Sequence, residues 1–423
     1  MLIEQRLAVE AIHGVLSGRS LTPLLERLFR QHPELDAGQR GAVFDIAHGS
    51  LRHLGLLRGV CALMLRKPLN PPQLEALLVA ALYQLAFTKA APYAVVDHAV
   101  RATEQAGWTW AKGMVNALLR RFSREREELL TRARGTPEGR YSYPGWWLER
   151  IRATYPDRWE AILDAGNRLA ATSLRVNARR STRDEYLNAL HQAGIDAIPL
   201  DAVGVMLARP MPVAQIPGFA RGLVSVQDAG AQLAARFLDL RPGQRVLDAF
   251  AAPGGKAAHI LERETVHLVA LDNDPARIQR VHENLRRLGL EAASVCADAA
   301  EPDRWWDGQA FDRVLADLPC TASGVVRRHP DIKWLRRESD IAALAARAAA
   351  LLDCLWRVVR PGGKLLIATC SVFREENRGQ VDDFVGRHAD ARLAPLPGQD
   401  SLDVQLLPDE RHDGFYYALL ERA

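Results

Sequence analysis

The sequence predicts a multidomain protein in three parts: an all-α N-terminal region, a small α+β module and a C-terminal α/β domain on a parallel sheet. Three observations carry this. Apolar residues recur at three and four spacing through the first 130 or so positions, with no strand signal among them. The stretch "TRARGTPEGRYSYPG" at 131–145 gathers Gly, Pro and Ser and breaks that period. From about residue 226 onward apolar strands alternate with helices, the pattern of a parallel sheet covered on both faces. At 423 residues the chain also exceeds one ordinary core.

Taken in order, "LIEQRLAVEAIHGVL", "GAVFDIAHGSLRHLGLL" and "YAVVDHAVRATEQAG" read as amphipathic helices, and "KGMVNALLRRFSREREELL" as an apolar helix running into a charged one. They define a helical domain over 1–135. A module over 146–225 follows, with strands at "TSLRVNA", "GVMLA" and "GLVSVQD" and a helix at "TRDEYLNALHQAG" that Thr182 is placed to cap. The last domain, 226–423, strings together "QRVLDAF", "KAAHILERE", "VHLVALD", "PARIQRVHENLRRLG", "EAASVCAD", "FDRVLADLP", "SDIAALAARAAALLDCLWRVV" and "GKLLIATCS". The final "GFYYALLER" is a strand expected to close the sheet's edge. The aromatic run "RYSYPGWW" at 140–147 is expected to be core packing.

Composition narrows the class. Residues are 48% hydrophobic and 25% charged, as in globular proteins. The richest apolar stretch, "QLEALLVAALYQLAF", is shorter than the roughly 20 residues a membrane span needs and starts beside Pro71 and Pro72. The N-terminus carries acids early and lacks a signal-peptide pattern, so the expected location is cytoplasmic. Five cysteines have no metal-ligand spacing, so no metal is expected and the thiols should be free. Cys61, Cys296 and Cys354 are expected as small buried hydrophobes, and His98 and His259 as ordinary packing or surface residues. The net charge of +4 is uneven: residues 1–140 hold 19 Lys and Arg against 13 Asp and Glu, which suits a polyanionic partner.

In a doubly wound sheet, ligands bind beyond the carboxyl ends of the strands. The first such turn reads "DAFAAPGGK", Asp248 to Lys256, with Gly254 and Gly255 able to let backbone approach a ligand. Asp272, eighteen residues past Gly254, ends the second strand, where a carboxylate accepts ribose hydroxyls. Asp298 ends the third, within reach of an adenine amino group. The glycines are not arranged for a pyrophosphate, and no Walker lysine pattern is present. S-adenosyl-L-methionine, which carries adenosine and no phosphate, fits this set better than a dinucleotide.

The fourth strand then delivers "DLPCTASG", with Asp317 and Cys320, and the fifth delivers "ATCS", with Cys370. Enzymes that methylate an exocyclic amine commonly carry N-P-P-Y or D-P-P-Y at the fourth strand and need no thiol. A thiol serves when the acceptor is a pyrimidine carbon: thiolate addition at C6 of cytosine turns C5 into a nucleophile. The attacking thiol must be ionised, so nearby cations or dipoles should lower its pKa. Asp317 is placed to hydrogen-bond the base at N3 and its amine. Residue types alone leave open which cysteine attacks.

The strings "DAFAAPGGK", "DLPCTASG", "RRHPDIKW" and "ATCS" resemble the motifs of RNA cytosine-C5 methyltransferases, and "APYAVVDHAVRATEQAG" with "KGMVNALLRRF" resembles the NusB RNA-binding fold. Together they cover nearly the whole chain and resemble the bacterial Sun/RsmB family, which methylates a cytidine of 16S rRNA. The resemblance implies an all-α NusB-like domain, an α+β (RRM-like) RNA-binding module and a Rossmann-like class I methyltransferase domain. It implies Cys370 as nucleophile, Cys320 in product release and Asp317 in base positioning. Cofactor contacts are implied at Phe250, Ala251, Ala252, Pro253, Gly254, Gly255, Lys256, Asp272, Asp298 and Asp317. The family usually has cysteine at Phe250 and often threonines at Ala257 and Ala258, positions outside the reacting groups.

The basic loop "GVVRRHPDIKW" leaves the active-site edge with Arg327, Arg328 and Lys333 expected to contact RNA phosphates and Trp334 to stack on a base. The expected partner is 16S rRNA, bound by a monomer, with the target base turned out of its stack. The rival readings are a non-catalytic RNA-binding ribosome-assembly factor, an amino-group methyltransferase, and C5 methylation of another RNA or of DNA.

Overall fold

The computed structural model describes residues 2–423, which divide into two compact units. The first holds the chain up to Arg168 together with Val326–Glu338, and the second holds Leu169–Val325 and Ser339–Ala423.

The helical unit is built from amphipathic segments whose ends the sequence marks. Asp36 caps the helix Ala37–Arg52 in a reciprocal capping box with Gln39, and Pro72 and Pro92 stand at the first positions of Pro72–Phe87 and Pro92–Gln105. The helix Pro72–Phe87 is buried on nearly every side, which is why its sequence is apolar almost throughout. The expected single helix at "GAVFDIAHGSLRHLGLL" is instead two, Ala37–Arg52 and Leu54–Met64, separated at His53 where ψ rises to 17°. The charged extension likewise breaks at Glu125. Tyr143 and Trp147 are buried, so the aromatic run is core.

In the second unit the small module comes first, as strands β1 (Thr172–Val176), β2 (Ala197–Pro199), β3 (Gly204–Leu207) and β4 (Val224–Val226) in the order β2-β3-β1-β4, all antiparallel. The helix Arg183–Gln192 starts at Thr182, whose hydroxyl accepts from the Glu185 N–H in a capping box. Strand β2 carries no alternation that would have announced it: Ile198 and Pro199 are both exposed.

The remaining strands are β5 (Arg245–Asp248), β6 (His267–Asp272), β7 (Ala293–Cys296), β8 (Phe311–Asp317), β9 (Val359–Thr369), β10 (Ala391–Ala394), β11 (Asp403–Leu406) and β12 (Phe415–Arg422). They form a sheet in the order β10-β12-β9-β8-β5-β6-β7, with β11 also on β12. Strands β5 to β9 run parallel, but β12 is antiparallel to β9, β10 and β11, so the sheet is mixed. The expectation that β12 closes the edge is corrected: it lies inside, between β9 and β10. Its six consecutive buried residues, Phe415 to Leu420, reflect coverage on both faces. The true edge at the other side is β7, which explains why Cys296 is exposed rather than buried, a second correction. Cys354 is half-buried and donates to the Ala300 carbonyl, and Cys61 is buried as expected.

Candidate active site

The order of strands reverses between β8 and β5, and the carboxyl ends of β5, β6, β8 and β9 gather the residues that carry chemistry. The turn after β5 is held on both sides. The Ala251 N–H donates to the Leu271 carbonyl (2.9 Å), the Ala252 N–H to Asp272 Oδ2 (3.3 Å) and the Asn284 amide to the Pro253 carbonyl (3.0 Å). Gly254 adopts φ +99°, and a Cβ there would sit 3.2 Å from Val281 Cα, so only glycine fits without strain. Asp272 is buried, and besides Ala252 it accepts from the Asp274 N–H (3.2 Å) and lies 3.4 Å from the Arg277 guanidinium. Asp298 is exposed beyond β7 and accepts from the Ala300 N–H. Phe250 and Ala252 are half-buried, and Ala251 is buried.

Two residues not assigned from sequence enter here. Asp248, at the end of β5, is fully buried, and neither carboxylate oxygen has a hydrogen-bond partner. Burial, and next the charge of Asp317, push its carboxyl up to about 7. It stood inside the quoted motif, and an acid at a strand end was the available signal. Arg175 on β1 is fully buried, donates to both oxygens of Glu262 (2.7 and 2.8 Å) and to the Gly255 carbonyl (2.8 Å), and so ties the small module to the helix after the turn. No local pattern distinguishes such an arginine from a surface one.

Lys256 reaches Asp317 Oδ2 at 2.5 Å. Burial pulls its pKa down, but the charges of Asp317 and then Cys370 outweigh this and raise it, so it stays cationic. Cys320 and Cys370 bring their sulfurs to 3.6 Å, with Cys320 buried and Cys370 half-buried. The hydrogen bond to Cys370, and next burial, hold the Cys320 pKa well above its ordinary value, so Cys320 keeps its proton. The pair is therefore unequal: a closed-in protonated thiol beside a more open sulfur within the field of a lysine cation.

Arg327 and Lys333, expected to contact RNA, do not lie on the surface. Both are buried within the helical unit. Lys333 donates to the Arg52 carbonyl (2.9 Å) and Asn167 Oδ1 (2.8 Å), and its ammonium stands 4.4 Å from the Tyr143 ring centre. Burial, then the charge of Arg52, lower its pKa well below the usual lysine value. The Trp334 indole donates to the Leu51 carbonyl (2.7 Å), and Arg327 accepts at its carbonyl from Arg52. Arg328 is half-buried and His329 exposed. Basic residues in a turn-rich stretch read as a solvated loop, but this one packs its apolar and cationic groups into the helical core. Among the described residues no cluster of His, Cys, Asp or Glu is arranged to hold a metal, and no helix is long and apolar enough to cross a membrane.

Residues 235–421 match the family model for the 16S rRNA methyltransferase RsmB/F, 143–214 that for the RsmF/B-like ferredoxin-like domain, and 3–124 the NusB family. The Ribosomal RNA small subunit methyltransferase B of Vibrio cholerae is 45% identical over 424 residues, covering 98% of this chain and 96% of its own. The crystal structure of PH0851 superposes over 100% of this chain and 99% of its own with a TM-score of 0.82 at 25% identity. That of a methyltransferase homologue from Pyrococcus horikoshii covers 68% of this chain and 97% of its own, with a TM-score of 0.59 at 26% identity.

Proposed function

The chain belongs to the RsmB/F family of 16S rRNA methyltransferases, and from this we propose that it methylates C5 of a cytidine in 16S rRNA through a covalent adduct with Cys370. The observation that carries the reading is the unequal thiol pair, 3.6 Å apart at the ends of adjacent parallel strands and beside the Lys256–Asp317 ion pair.

S-adenosyl-L-methionine supplies the methyl group as an electrophilic sulfonium. The crevice suits it: Asp272 and Asp298 would hold the adenosine end, and the turn from Ala251 to Gly255 offers backbone free of large side chains. The partnerless carboxyl of Asp248 suits the ammonium of the methionine end. Phe250 packs against the core beneath the turn.

In the reaction, the sulfur of Cys370, the more open of the two, forms a bond to C6 of the base. The C5–C6 π electrons move into the ring, where Asp317 holds N3 and the exocyclic amine. C5 would use the returning pair to take the methyl group, whose bond to the cofactor's sulfonium sulfur would break with its electrons staying on that sulfur. A base then removes the C5 proton, the C6–S bond breaks with its electrons staying on sulfur, and the aromatic ring is restored. The proton that Cys320 retains is aimed at the departing Cys370 thiolate, which stabilises it as it leaves. The opening needed to reach an unstacked base places the target in single-stranded or locally melted rRNA. An rRNA substrate fits a cytoplasmic protein.

Incubating the protein with unmethylated 16S rRNA and labelled cofactor, followed by nucleoside analysis, tests the product. 5-Methylcytidine is expected. N4-methylcytidine would favour amino-group chemistry, and RNA binding without transfer would favour an assembly factor.

A further inference from the structure

Glu376 lies six residues past the thiol of Cys370, in the one-turn helix Arg374–Glu376, and is buried with 2% of its surface exposed. A carboxylate taken out of water is costly unless its oxygens are filled with donors. Here three donors fill them, and they come from two chain segments. Oε1 accepts from the Thr321 N–H at 2.7 Å, and Oε2 accepts from the Thr321 hydroxyl at 2.6 Å and the Ser371 hydroxyl at 2.5 Å. Thr321 directly follows Cys320, and Ser371 directly follows Cys370.

The same two segments are joined around this carboxylate. The Ser371 and Ser323 hydroxyls are 3.0 Å apart, the Val372 N–H donates to the Ser323 hydroxyl (2.9 Å), and the Gly324 N–H donates to the Cys370 carbonyl (2.8 Å). Asn377 closes the far side: its amide donates to the Ser371 carbonyl (2.9 Å) and its oxygen accepts from the Thr369 hydroxyl (2.5 Å). The 3.6 Å separation of the sulfurs is thus set by groups one residue away on each side, and Glu376 touches both.

We propose that Glu376 is a positioning residue that clamps the two cysteine segments and holds Cys320 in register against Cys370, so that the protein–RNA adduct is released. This rests on the reaction proposed above. The amide of Glu376→Gln would turn an NH2 donor toward hydroxyl and N–H donors, which loosens the clamp at nearly constant volume. Attack by Cys370 would survive and release would slow.

The test uses full-length protein on 16S rRNA with ordinary cytidine, comparing wild type, Glu376→Gln and Cys320→Ala for turnover, KM and denaturant-resistant protein–RNA adduct. Glu376→Gln is expected to lower kcat at least tenfold, change KM for RNA and cofactor less than about twofold, and accumulate adduct as Cys320→Ala does. A merely structural role would raise KM and lower adduct and thermal stability together, and that result, or wild-type turnover, would overturn the proposal. Should Glu376→Gln fold poorly, Thr321→Val and Ser371→Ala each remove one hydrogen bond from the carboxylate and carry the same expectation in weaker form. A wild-type trapping control on 5-fluorocytidine RNA separates the failures: no adduct there would reject the reaction itself, whereas adduct there with none from Glu376→Gln on cytidine would reject only the clamp.

Discussion

Asp248 and Lys256 begin and end the same short turn and meet opposite electrostatic fates. Lys256 finds Asp317 at 2.5 Å and stays charged in spite of burial. Asp248 makes no well-formed hydrogen bond, and burial followed by repulsion from Asp317 raises its carboxyl to about 7. An acid whose folded pKa is raised adds stability that is complete below its unfolded value and is lost as pH rises through the folded one. Without cofactor, wild type is therefore expected to lose stability relative to Asp248→Asn between about pH 4 and 7, at most about 1.4 kcal/mol per pH unit for one proton. Denaturant titrations across that range check this, and a constant difference would contradict it. At this scale the sequence was most informative where chemistry dictates the residue type: an acid, a lysine and two thiols at strand ends are few and conspicuous. It was silent on Arg175 and Glu376, because a buried charge is defined by its distant partners rather than by its neighbours in the chain.

At the scale of elements, what organises the site is how closely its loops approach. Gly324, the last residue of "DLPCTASG", donates to the Cys370 carbonyl and accepts from the Gly414 N–H at its own carbonyl. A Cβ on Gly324 would lie 2.3 Å from the Gly414 carbonyl oxygen, a backbone atom that cannot swing aside. Gly324→Ala is expected to destabilise the protein by about 1–3 kcal/mol, by forcing the loops apart, and to depress methyl transfer beyond that loss. Thermal unfolding measured beside turnover decides it, and an unchanged melting temperature would contradict the packing argument. The parallel strands β5 to β9 were legible because each is a short apolar run followed by turn chemistry. Strands β10 and β11 were not: "ARLA" is short, with one arginine and burial that does not alternate, and every residue of β11 is half-buried, so neither shows a period. The position of β12 was misread for a related reason, since periodicity reports burial on both faces but not which neighbours supply it.

Over the whole molecule, the excess of base in residues 1–140 fits an RNA partner, whereas Arg327 and Lys333 of the basic loop are buried. Lys333 is enclosed, with its pKa lowered by burial, and it donates to two buried acceptors. Lys333→Met should cost about 1–3 kcal/mol of stability by leaving them unpaired, yet leave the salt dependence of rRNA binding unchanged. A lysine on a phosphate would lower that slope by about 1. Binding measured from low to moderate salt distinguishes these, and a slope reduced by one charge would show that Lys333 reaches RNA. The three-part organisation was readable because the hydrophobic period changes twice along the chain. That Val326–Glu338 folds with the helical unit was not, because a basic stretch in sequence has no mark of what packs over it.

The central claim is that Cys370 attacks and Cys320 assists release, and covalent trapping tests it most directly. Wild type, Cys370→Ala and Cys320→Ala are incubated with cofactor and 16S rRNA carrying 5-fluorocytidine, whose C5 fluorine cannot leave as a proton does. Denaturant-resistant adducts are expected from wild type and Cys320→Ala and not from Cys370→Ala. Adducts that persist without Cys370 and vanish without Cys320 would exchange the two roles, and none from wild type would contradict the covalent mechanism.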